Sequence, residues 1–391
     1  MTATPQNPPP KARWVDYVLI IVFSLLLPLP LLDDCFHLDP TRPQTENRLL
    51  ADCPPKPASL ADLEAYPAAW EKFFSDHFGF RNCLILWHNK LNWRGFKEKS
   101  TPLVLVGTDG WLFYAENRMI DHYCGILSWN DNDLEGWRQL LEKRRAWLAA
   151  RGIQYAVVVA PEKQSLYPEK LPAWLLRAAP PHHRTKLDQL VDYLHAHSDL
   201  KIIDLRTPLR QAKPVAPLYQ MTDFHWNAYG AYIGYATLIQ ALGQTPVPLA
   251  DYSFTNHPTV ATDQAGNPRW VGGLAEMLGV TMPETDALFA VPGPSLPRCQ
   301  TFLPVGEHIR DLASVKNPQL TQRAIVYQDS FARYWLPFLG NHFGETDFYW
   351  QYQFDPKEIE RQKPAVVISE FLESKLNVTD PRQLSQADAL P

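Results

Sequence analysis

Ala324-Ile325-Val326-Tyr327-Gln328-Asp329-Ser330-Phe331 joins four apolar residues to a short polar segment, and an apolar run to Leu339 follows. Four apolar residues in a row are typical of a strand that is covered on both faces, as in a parallel sheet. A polar turn followed by a helical run would place Ser330 at the carboxyl edge of that sheet, where open α/β sheets build their sites. The same pattern also fits an ordinary helix N-cap, because Ser and Asp are favoured there.

Further strand-like and helix-like segments alternate through most of the chain. The apolar runs Tyr155–Val159, Leu200–Leu205 and Ala365–Ile368 predict buried strands. Amphipathic helices are predicted over Leu134–Arg151 and Asn227–Leu242, each followed by a glycine that can end it. Such alternation implies crossover connections, so the sequence predicts an α/β fold with a mostly parallel sheet flanked by helices.

An antiparallel hairpin is predicted upstream of this core. Leu103–Val106 and Trp111–Tyr114 flank the turn Gly107-Thr108-Asp109-Gly110, and an Asp-Gly pair between apolar runs is a strong hairpin signal. In contrast, Gln244–Gln322 is rich in loop-forming residues and shows no clear periodicity.

A second polar stretch, Thr222-Asp223-Phe224-His225-Trp226-Asn227, lies well before Ser330 in the chain. A serine hydroxyl becomes a nucleophile when a base takes its proton and a third group orients that base. Asp223 can reach the His225 ring either from the same face of a strand or across a tight turn. We therefore predict Ser330, His225 and Asp223 as catalytic residues, with a surface pair or a helix cap as the alternative for the Asp-His pair.

Composition limits the classes of protein that fit. With 391 residues and 46% hydrophobic residues, the chain is long and apolar enough for a large domain or for two. The net charge of -5, with no clustered basic block, argues against nucleic-acid binding. None of the five cysteines forms a Cys-x-x-Cys pair, so no zinc site and no other metal site is expected.

The N-terminus resembles an export signal that stays in the membrane. Residues 1–13 carry Lys11 and Arg13 and are expected to form a cytoplasmic tail, and residues 14–32 are expected to form a transmembrane signal-anchor helix. Residues 33–58 are Pro-rich and polar, which favours a stalk, and residues 59–391 are expected to form the exported domain. A cleaved signal peptide is the alternative to an anchor.

Several of these segments together resemble one known family. Asp329-Ser330-Phe331 is similar to the Gly-Asp-Ser block of SGNH hydrolases, and Thr222–Asn227 resembles the T-D-x-H-W-N segment of the AlgX/AlgJ family of alginate O-acetyltransferases. In that family the Asp-x-His segment precedes the serine, as it does here. Gly110–Tyr114 and the P-x-K-x-x-x-Y-P pattern of Pro161–Pro168 resemble family segments too. Two departures are Gln328, where glycine usually precedes Asp-Ser, and a Gly-Gly-Leu-Ala run at 272–275 in place of Gly-Asp-Leu-Ala.

The resemblance implies an SGNH-like domain with Ser330 as nucleophile, His225 as general base and Asp223 as its orienting acid. The backbone N–H of Ser330 and the side chain of Arg333 are the expected oxyanion donors. Aromatic rings with polar groups suit a sugar-binding groove. The expected substrate contacts are Trp226, Tyr229, Tyr334 and Trp335.

The function implied by the resemblance is transfer of acetyl groups onto the hydroxyls of an exopolysaccharide through an acyl-serine, without a cofactor or metal. Because acetyl-CoA is not expected outside the cytoplasm, a membrane-bound O-acyltransferase partner would supply the acetyl group. The chain would sit in the inner membrane with its C-terminal domain in the periplasm. The alternatives are a carbohydrate acetyl esterase with the same triad and a non-catalytic polysaccharide-binding or export scaffold, which would not need the three side chains in contact.

Overall fold

A computed structural model describes residues 14–36, 38–39, 51–57, 59–81, 83–85, 87–88, 91, 100–116, 118–180, 183–255, 273–278, 289–303 and 312–390. The chain divides into two compact units. The first comprises Met1–Glu98 with Met277–Gly279, and the second comprises Lys99–Glu276 with Val280–Pro391. The predicted tail at residues 1–13 lies outside the described residues.

The described residues of the first unit are mainly helical. Its helices include α1 (Trp14–Leu26), α2 (Leu29–Phe36) and α3 (Leu60–His77). Trp14–Asp33 forms a segment long and apolar enough to cross a membrane, and none of its residues before Asp33 is buried within the protein. Pro28 and Pro30 lie at and just after the boundary between α1 and α2, as expected for a residue that cannot continue the helical hydrogen-bond ladder. Ser59 caps α3 by accepting the Asp62 N–H.

The second unit is built on a seven-stranded sheet with the order β4-β3-β11-β9-β10-β8-β7. The strands of the described chain are β1 (Val104–Val106), β2 (Leu112–Tyr114), β3 (Gln154–Ala160), β4 (Ile202–Asp204), β5 (Tyr252–Thr255), β6 (Phe289–Pro292), β7 (Gln300–Phe302), β8 (Ala313–Lys316), β9 (Arg323–Tyr327), β10 (Glu345–Tyr349) and β11 (Val366–Leu372). The five strands from β4 to β10 are parallel, which confirms the predicted α/β class. β8 pairs antiparallel with β10, and the edge strand β7 pairs antiparallel with β8, so the sheet is mixed.

Helices cover the strands that carry the site. The other α-helices of the described residues are Met119–Tyr123, Asp131–Ala149, Lys163–Leu166, Ala173–Ala178, Lys186–His197, Arg206–Ala212, Ala228–Ala241, Gly273–Met277, Leu336–Leu339, Pro356–Gln362 and Pro381–Ala387. The 3-10 helices are Pro168–Lys170, Leu249–Asp251, Ala332–Trp335 and Glu373–Asn377. One core cluster joins Trp137 and Leu141 to Leu190 and to Val157 and Phe371 of the sheet. Since every residue of β11 is buried, the central strands have no solvent-facing side.

Two local predictions can be compared with the structure directly. The hairpin is confirmed: β1 and β2 pair antiparallel, and the turn takes positive φ at Asp109 (53°) and Gly110 (81°). The helical run expected after Ser330 forms, but it is not one regular helix. The chain forms the 3-10 turn Ala332–Trp335 and then the α-turn Leu336–Leu339, because Pro337 sits at the start of that α-turn and has no N–H for a continuous helix.

Candidate active site

The predicted base and its orienting acid lie at the tip of a tight loop. Tyr219 and Trp226 form an isolated antiparallel bridge, and the Asn227 N–H donates to the Leu218 carbonyl (2.8 Å). The Asn227 side chain then accepts the Gly230 N–H (2.9 Å) and begins the helix Ala228–Ala241. A Cβ at Gly230 would lie 2.3 Å from the Leu218 carbonyl oxygen, so this close approach requires glycine.

Asp223, His225 and Ser330 form a hydrogen-bonded chain. The His225 Nε2 lies 2.7 Å from the Ser330 Oγ, and the His225 Nδ1 lies 2.8 Å from the Asp223 Oδ1. The same carboxylate oxygen accepts the His225 backbone N–H (3.0 Å). Asp223 therefore reaches the ring across a tight turn, and not from the same face of a strand. Sequence reasoning thus identified three side chains that the structure brings within hydrogen-bond reach.

The environment of Asp223 favours its ionised form. Its second oxygen accepts the Gly273 N–H (2.6 Å), and only 11% of the side chain is exposed. Burial alone would raise the pKa of Asp223, but the His225 ring and the N–H groups of His225 and Gly273 outweigh it and lower the pKa to about 2. An ionised carboxylate on Nδ1 keeps the proton of a neutral imidazole on that nitrogen, which leaves Nε2 able to accept the Ser330 proton.

Asp329 fixes the turn that presents Ser330. Its Oδ1 accepts the Phe331 N–H (3.0 Å), and its Oδ2 accepts the Leu372 N–H (2.8 Å) and the Tyr352 hydroxyl (2.7 Å). Its own N–H donates to the Glu370 Oε2 (3.1 Å). The carboxylate therefore ties the loop after β9 to the carboxyl end of β11. Burial, and then the nearby Asp329 carboxylate, raise the pKa of Glu370 well above its ordinary value.

Lys163 holds the loop that carries the base, a role that sequence reasoning missed. Its buried Nζ donates to the carbonyl oxygens of Leu112 (2.7 Å), Met221 (2.9 Å) and Asp223 (3.0 Å). The Leu112 N–H also donates to the Met221 carbonyl (3.0 Å). The P-x-K-x-x-x-Y-P pattern includes Lys163 only as part of a family resemblance, because a lysine is normally expected at the protein surface.

The four predicted substrate-binding aromatics divide into two pairs. Trp226 and Trp335 are fully buried, and their Nε1 groups donate to the carbonyl oxygens of Phe331 and Ala231 (3.1 Å each), so the prediction that they contact substrate is wrong. Their large rings fill the core below the loop instead. Tyr229 and Tyr334 are partly exposed, and the Tyr334 ring lies 5.5 Å from the His225 ring. Their substrate contacts stay a prediction.

The expected oxyanion donors also stay predictions. Arg333 lies one turn past Ser330, half-buried, with its guanidinium 5.4 Å from the Trp350 ring centre. Burial lowers the pKa of Arg333, but a guanidinium keeps its charge at any physiological pH. No group of three or more His, Cys, Asp or Glu side chains in the described ranges is placed to hold a metal ion.

Comparison with known proteins gives a consistent family match. Residues 104–289 match the family model described as the SGNH hydrolase-like domain of the acetyltransferase AlgX. That segment contains Lys163, Asp223 and His225 and ends before Ser330. Two similar relatives are both named "probable alginate O-acetylase AlgJ". The Azotobacter vinelandii protein is 28% identical over 46% of this chain and 44% of its own length. The Pseudomonas fluorescens protein is 30% identical over 48% and 46%. The chain therefore spans about half the length of these relatives.

A solved structure shows the same fold at low identity. The DHHW family protein from Eubacterium siraeum superposes with a TM-score of 0.51, covering 75% of this chain and 97% of its own, at 13% identity. The similarity concerns the arrangement of strands and helices. The shared architecture is the SGNH-like α/β fold, with a mixed sheet between helices.

Proposed function

We propose that this chain, which carries the SGNH hydrolase-like domain of the AlgX/AlgJ family, is a polysaccharide O-acetyltransferase that works through an acetyl-serine. The observation that carries the proposal is the position of His225 between the Ser330 hydroxyl (2.7 Å) and the Asp223 carboxylate (2.8 Å). A non-catalytic polysaccharide-binding or export scaffold would not need these three side chains in contact. A nucleophile, a base and an orienting acid within hydrogen-bond reach are what acyl transfer requires.

In the first half of the reaction, Ser330 takes the acetyl group. The His225 Nε2 removes the Ser330 proton as the oxygen attacks the acetyl carbonyl of a donor, and Asp223 stabilises the imidazolium that forms. The Ser330 N–H, with Arg333 as a second donor, is proposed to stabilise the oxyanion of the tetrahedral intermediate. Its collapse breaks the bond to the donor, which leaves with the proton from His225.

In the second half, a sugar hydroxyl replaces the donor. Neutral His225 removes the proton of this hydroxyl, the alkoxide-like oxygen attacks the acetyl-serine, and Ser330 leaves with the proton returned by the imidazole. Water in place of the sugar would give an acetyl esterase with the same residues. Tyr229 and Tyr334 are the proposed acceptor contacts, because a phenol combines a flat apolar ring with a hydroxyl that can bind a sugar.

We also propose where the reaction takes place. The apolar helix Trp14–Asp33 would anchor the chain in the inner membrane, with Lys11 and Arg13 on the cytoplasmic side and the catalytic unit in the periplasm. A membrane-bound O-acyltransferase would then supply the acetyl group. The acceptor would be an exopolysaccharide, as the names of the relatives suggest for those proteins.

The proposal is tested with the full chain, an activated acetyl ester as donor and oligosaccharide acceptors that include oligoalginate. Acetylated sugar and free acetate are measured together, because their ratio separates transfer from hydrolysis. Ser330→Ala should lower both by about 10³-fold or more, whereas the exposed-serine control Ser295→Ala should leave them unchanged. A serine-reactive probe should label the peptide that contains Ser330. Unchanged transfer by Ser330→Ala contradicts the mechanism, and acetate without acetylated sugar identifies an esterase.

A further inference from the structure

The helix α3 exposes an apolar stripe. Leu60, Leu63, Trp70 and Phe74 are 86%, 56%, 40% and 61% exposed. At about 100° per residue, these four side chains fall within an arc of about 80° on one side of the helix. The exposed charged residues Asp62, Glu64, Glu71 and Lys72 lie outside this arc. A two-faced helix with large apolar groups on its outer side needs a non-aqueous surface to cover it.

The end of α3 is joined to the end of the apolar N-terminal segment. Asp33, the last residue of that segment, is buried, and its Oδ2 accepts the Phe80 N–H (2.8 Å). A Cβ at Gly79 would lie 2.1 Å from the Pro30 carbonyl oxygen, so the two backbones are in direct contact there. The exposed face of α3 therefore begins at the level where the apolar segment ends.

A groove connects the two elements. It has a volume of about 810 Å³, and the residues that line it are apolar apart from His77. One wall is formed by Phe23, Leu26 and Leu27 of the apolar segment, and the other by Trp70, Phe73 and Phe74 of α3. Because the first wall belongs to the segment that would cross the bilayer, the groove continues a surface that lipid would already cover.

We propose that α3 lies in the interface of the lipid bilayer that α1 and α2 cross, with its apolar stripe at the acyl-chain boundary and a phospholipid acyl chain in the groove. This inference rests on the anchoring part of the proposed function. A 20-residue helix rises about 30 Å, which matches the hydrocarbon thickness of a bilayer. Asp33 then lies at the membrane surface, and the hydrogen bond to Phe80 brings α3 to the same level.

The test uses the full chain in phosphatidylethanolamine–phosphatidylglycerol proteoliposomes. Four native cysteines are replaced by serine and the buried Cys124 by alanine, and single cysteines for a nitroxide label are then introduced. Leu63→Cys and Phe74→Cys report on the stripe, while Glu64→Cys and Lys72→Cys are matched controls on the polar face of the same helix. Power-saturation electron paramagnetic resonance compares collisions of the label with oxygen, which partitions into lipid, and with a water-soluble nickel chelate. Each variant must keep the circular dichroism spectrum of the parent.

The stripe labels should collide with oxygen several-fold more often than with the nickel chelate, and the polar-face labels should show the reverse order. Equal nickel accessibility at all four positions overturns the inference. Spin–spin broadening at the stripe also overturns it, because a second copy of the chain would then cover α3. Extraction at alkaline pH separates the two proposals. A chain that is released was never anchored and both fail, whereas a chain that is retained with a water-exposed stripe contradicts only this inference.

Discussion

Replacing Asp223 by asparagine tests the electrostatic core of the site, because the carboxamide cannot satisfy all of its neighbours. If the Asn oxygen takes the Oδ1 position, its NH₂ points at the Gly273 N–H, which lies 2.6 Å from the present Oδ2. Two buried donors then face each other, which costs about 1–3 kcal/mol. If the amide is reversed, its NH₂ donates to the His225 Nδ1, and the ring proton moves to Nε2. A ring in that tautomer cannot take the Ser330 proton.

The magnitudes follow from the geometry and from the pKa. We expect Asp223→Asn to lower kcat about 10⁴-fold, the size of the effect when a triad loses its orienting acid. The pKa of Asp223 is lowered from 3.8 to about 2, and at about 1.4 kcal/mol per pH unit this corresponds to about 2 kcal/mol of stability at pH 7. Because the folded pKa is the lower one, this stability is present above about pH 4 and is lost as the pH falls towards 2. The gap between parent and variant should therefore be smaller at pH 3 than at pH 7 by about 1 kcal/mol.

Two measurements check this prediction. Single-turnover acetylation of Ser330 gives the catalytic loss, and urea unfolding at pH 7 and pH 3 gives the two stability gaps. Asp223→Glu is the matched control, because it keeps the charge but displaces the carboxylate from His225. It should lose activity while keeping a pH-dependent contribution to the free energy of unfolding. Activity of Asp223→Asn within tenfold of the parent, or a stability gap that does not change with pH, would refute the reasoning.

Three further predictions concern Lys163 and Asp329, which hold the loops of the proposed triad, and His342, which contacts the Tyr235 hydroxyl (2.6 Å). Lys163→Met removes the three hydrogen bonds that the buried ammonium donates, so it should lower the free energy of unfolding by about 3 kcal/mol and slow the acetylation of Ser330. Lys163→Arg should restore neither the stability nor the rate, because a planar guanidinium cannot donate to three carbonyl groups that converge on one point. Asp329→Ala should cost about 3 kcal/mol in urea unfolding, while Tyr352→Phe, which removes one of the three donors to that carboxylate, should cost about 1 kcal/mol. Burial lowers the pKa of His342 from 6.5 to about 4. The free energy of unfolding of the parent should therefore be highest above pH 6.5 and fall by roughly 2 kcal/mol towards pH 4, as the unfolded chain takes up the proton first. His342→Gln should remove this decrease in urea unfolding measured across the same pH range.

The elements that could be predicted from sequence are those with strong local patterns. The predicted runs Tyr155–Val159, Ala324–Tyr327 and Ala365–Ile368 consist of aliphatic and tyrosine residues only, and the Asp109-Gly110 turn requires positive φ that few other pairs adopt. The strands β5 to β8 all fall in the stretch that gave no clear elements. They are three or four residues long, and β7 is exposed throughout, so no alternation of apolar and polar residues marks it.

The site was predictable only in part for a related reason. Asp223, His225 and Ser330 belong to residue types whose chemistry suggests a role, and the need of a serine nucleophile for a base and an orienting acid links their two segments. The burial of Trp226 and Trp335 depends on carbonyl oxygens of Phe331 and Ala231, each more than a hundred residues away in sequence. A pattern of neighbouring residues in the sequence does not predict a hydrogen-bond partner that is so distant along the chain. The same holds for Lys163, whose role becomes visible only when three carbonyl groups from two other segments converge on it.

The order of the strands explains why two distant loops meet accurately. β11 lies between β3 and β9, and all three are parallel, so their carboxyl ends form one edge. The loop after β9 presents Ser330 and is tied to β11 through Asp329 and the Leu372 N–H, while the segment after β3 supplies Lys163, which fixes the loop with Asp223. Each half of the proposed triad is thus anchored to a neighbouring strand by bonds to backbone groups. A rigid sheet edge, and not the stiffness of the loops, sets the 2.7 Å contact between His225 and Ser330.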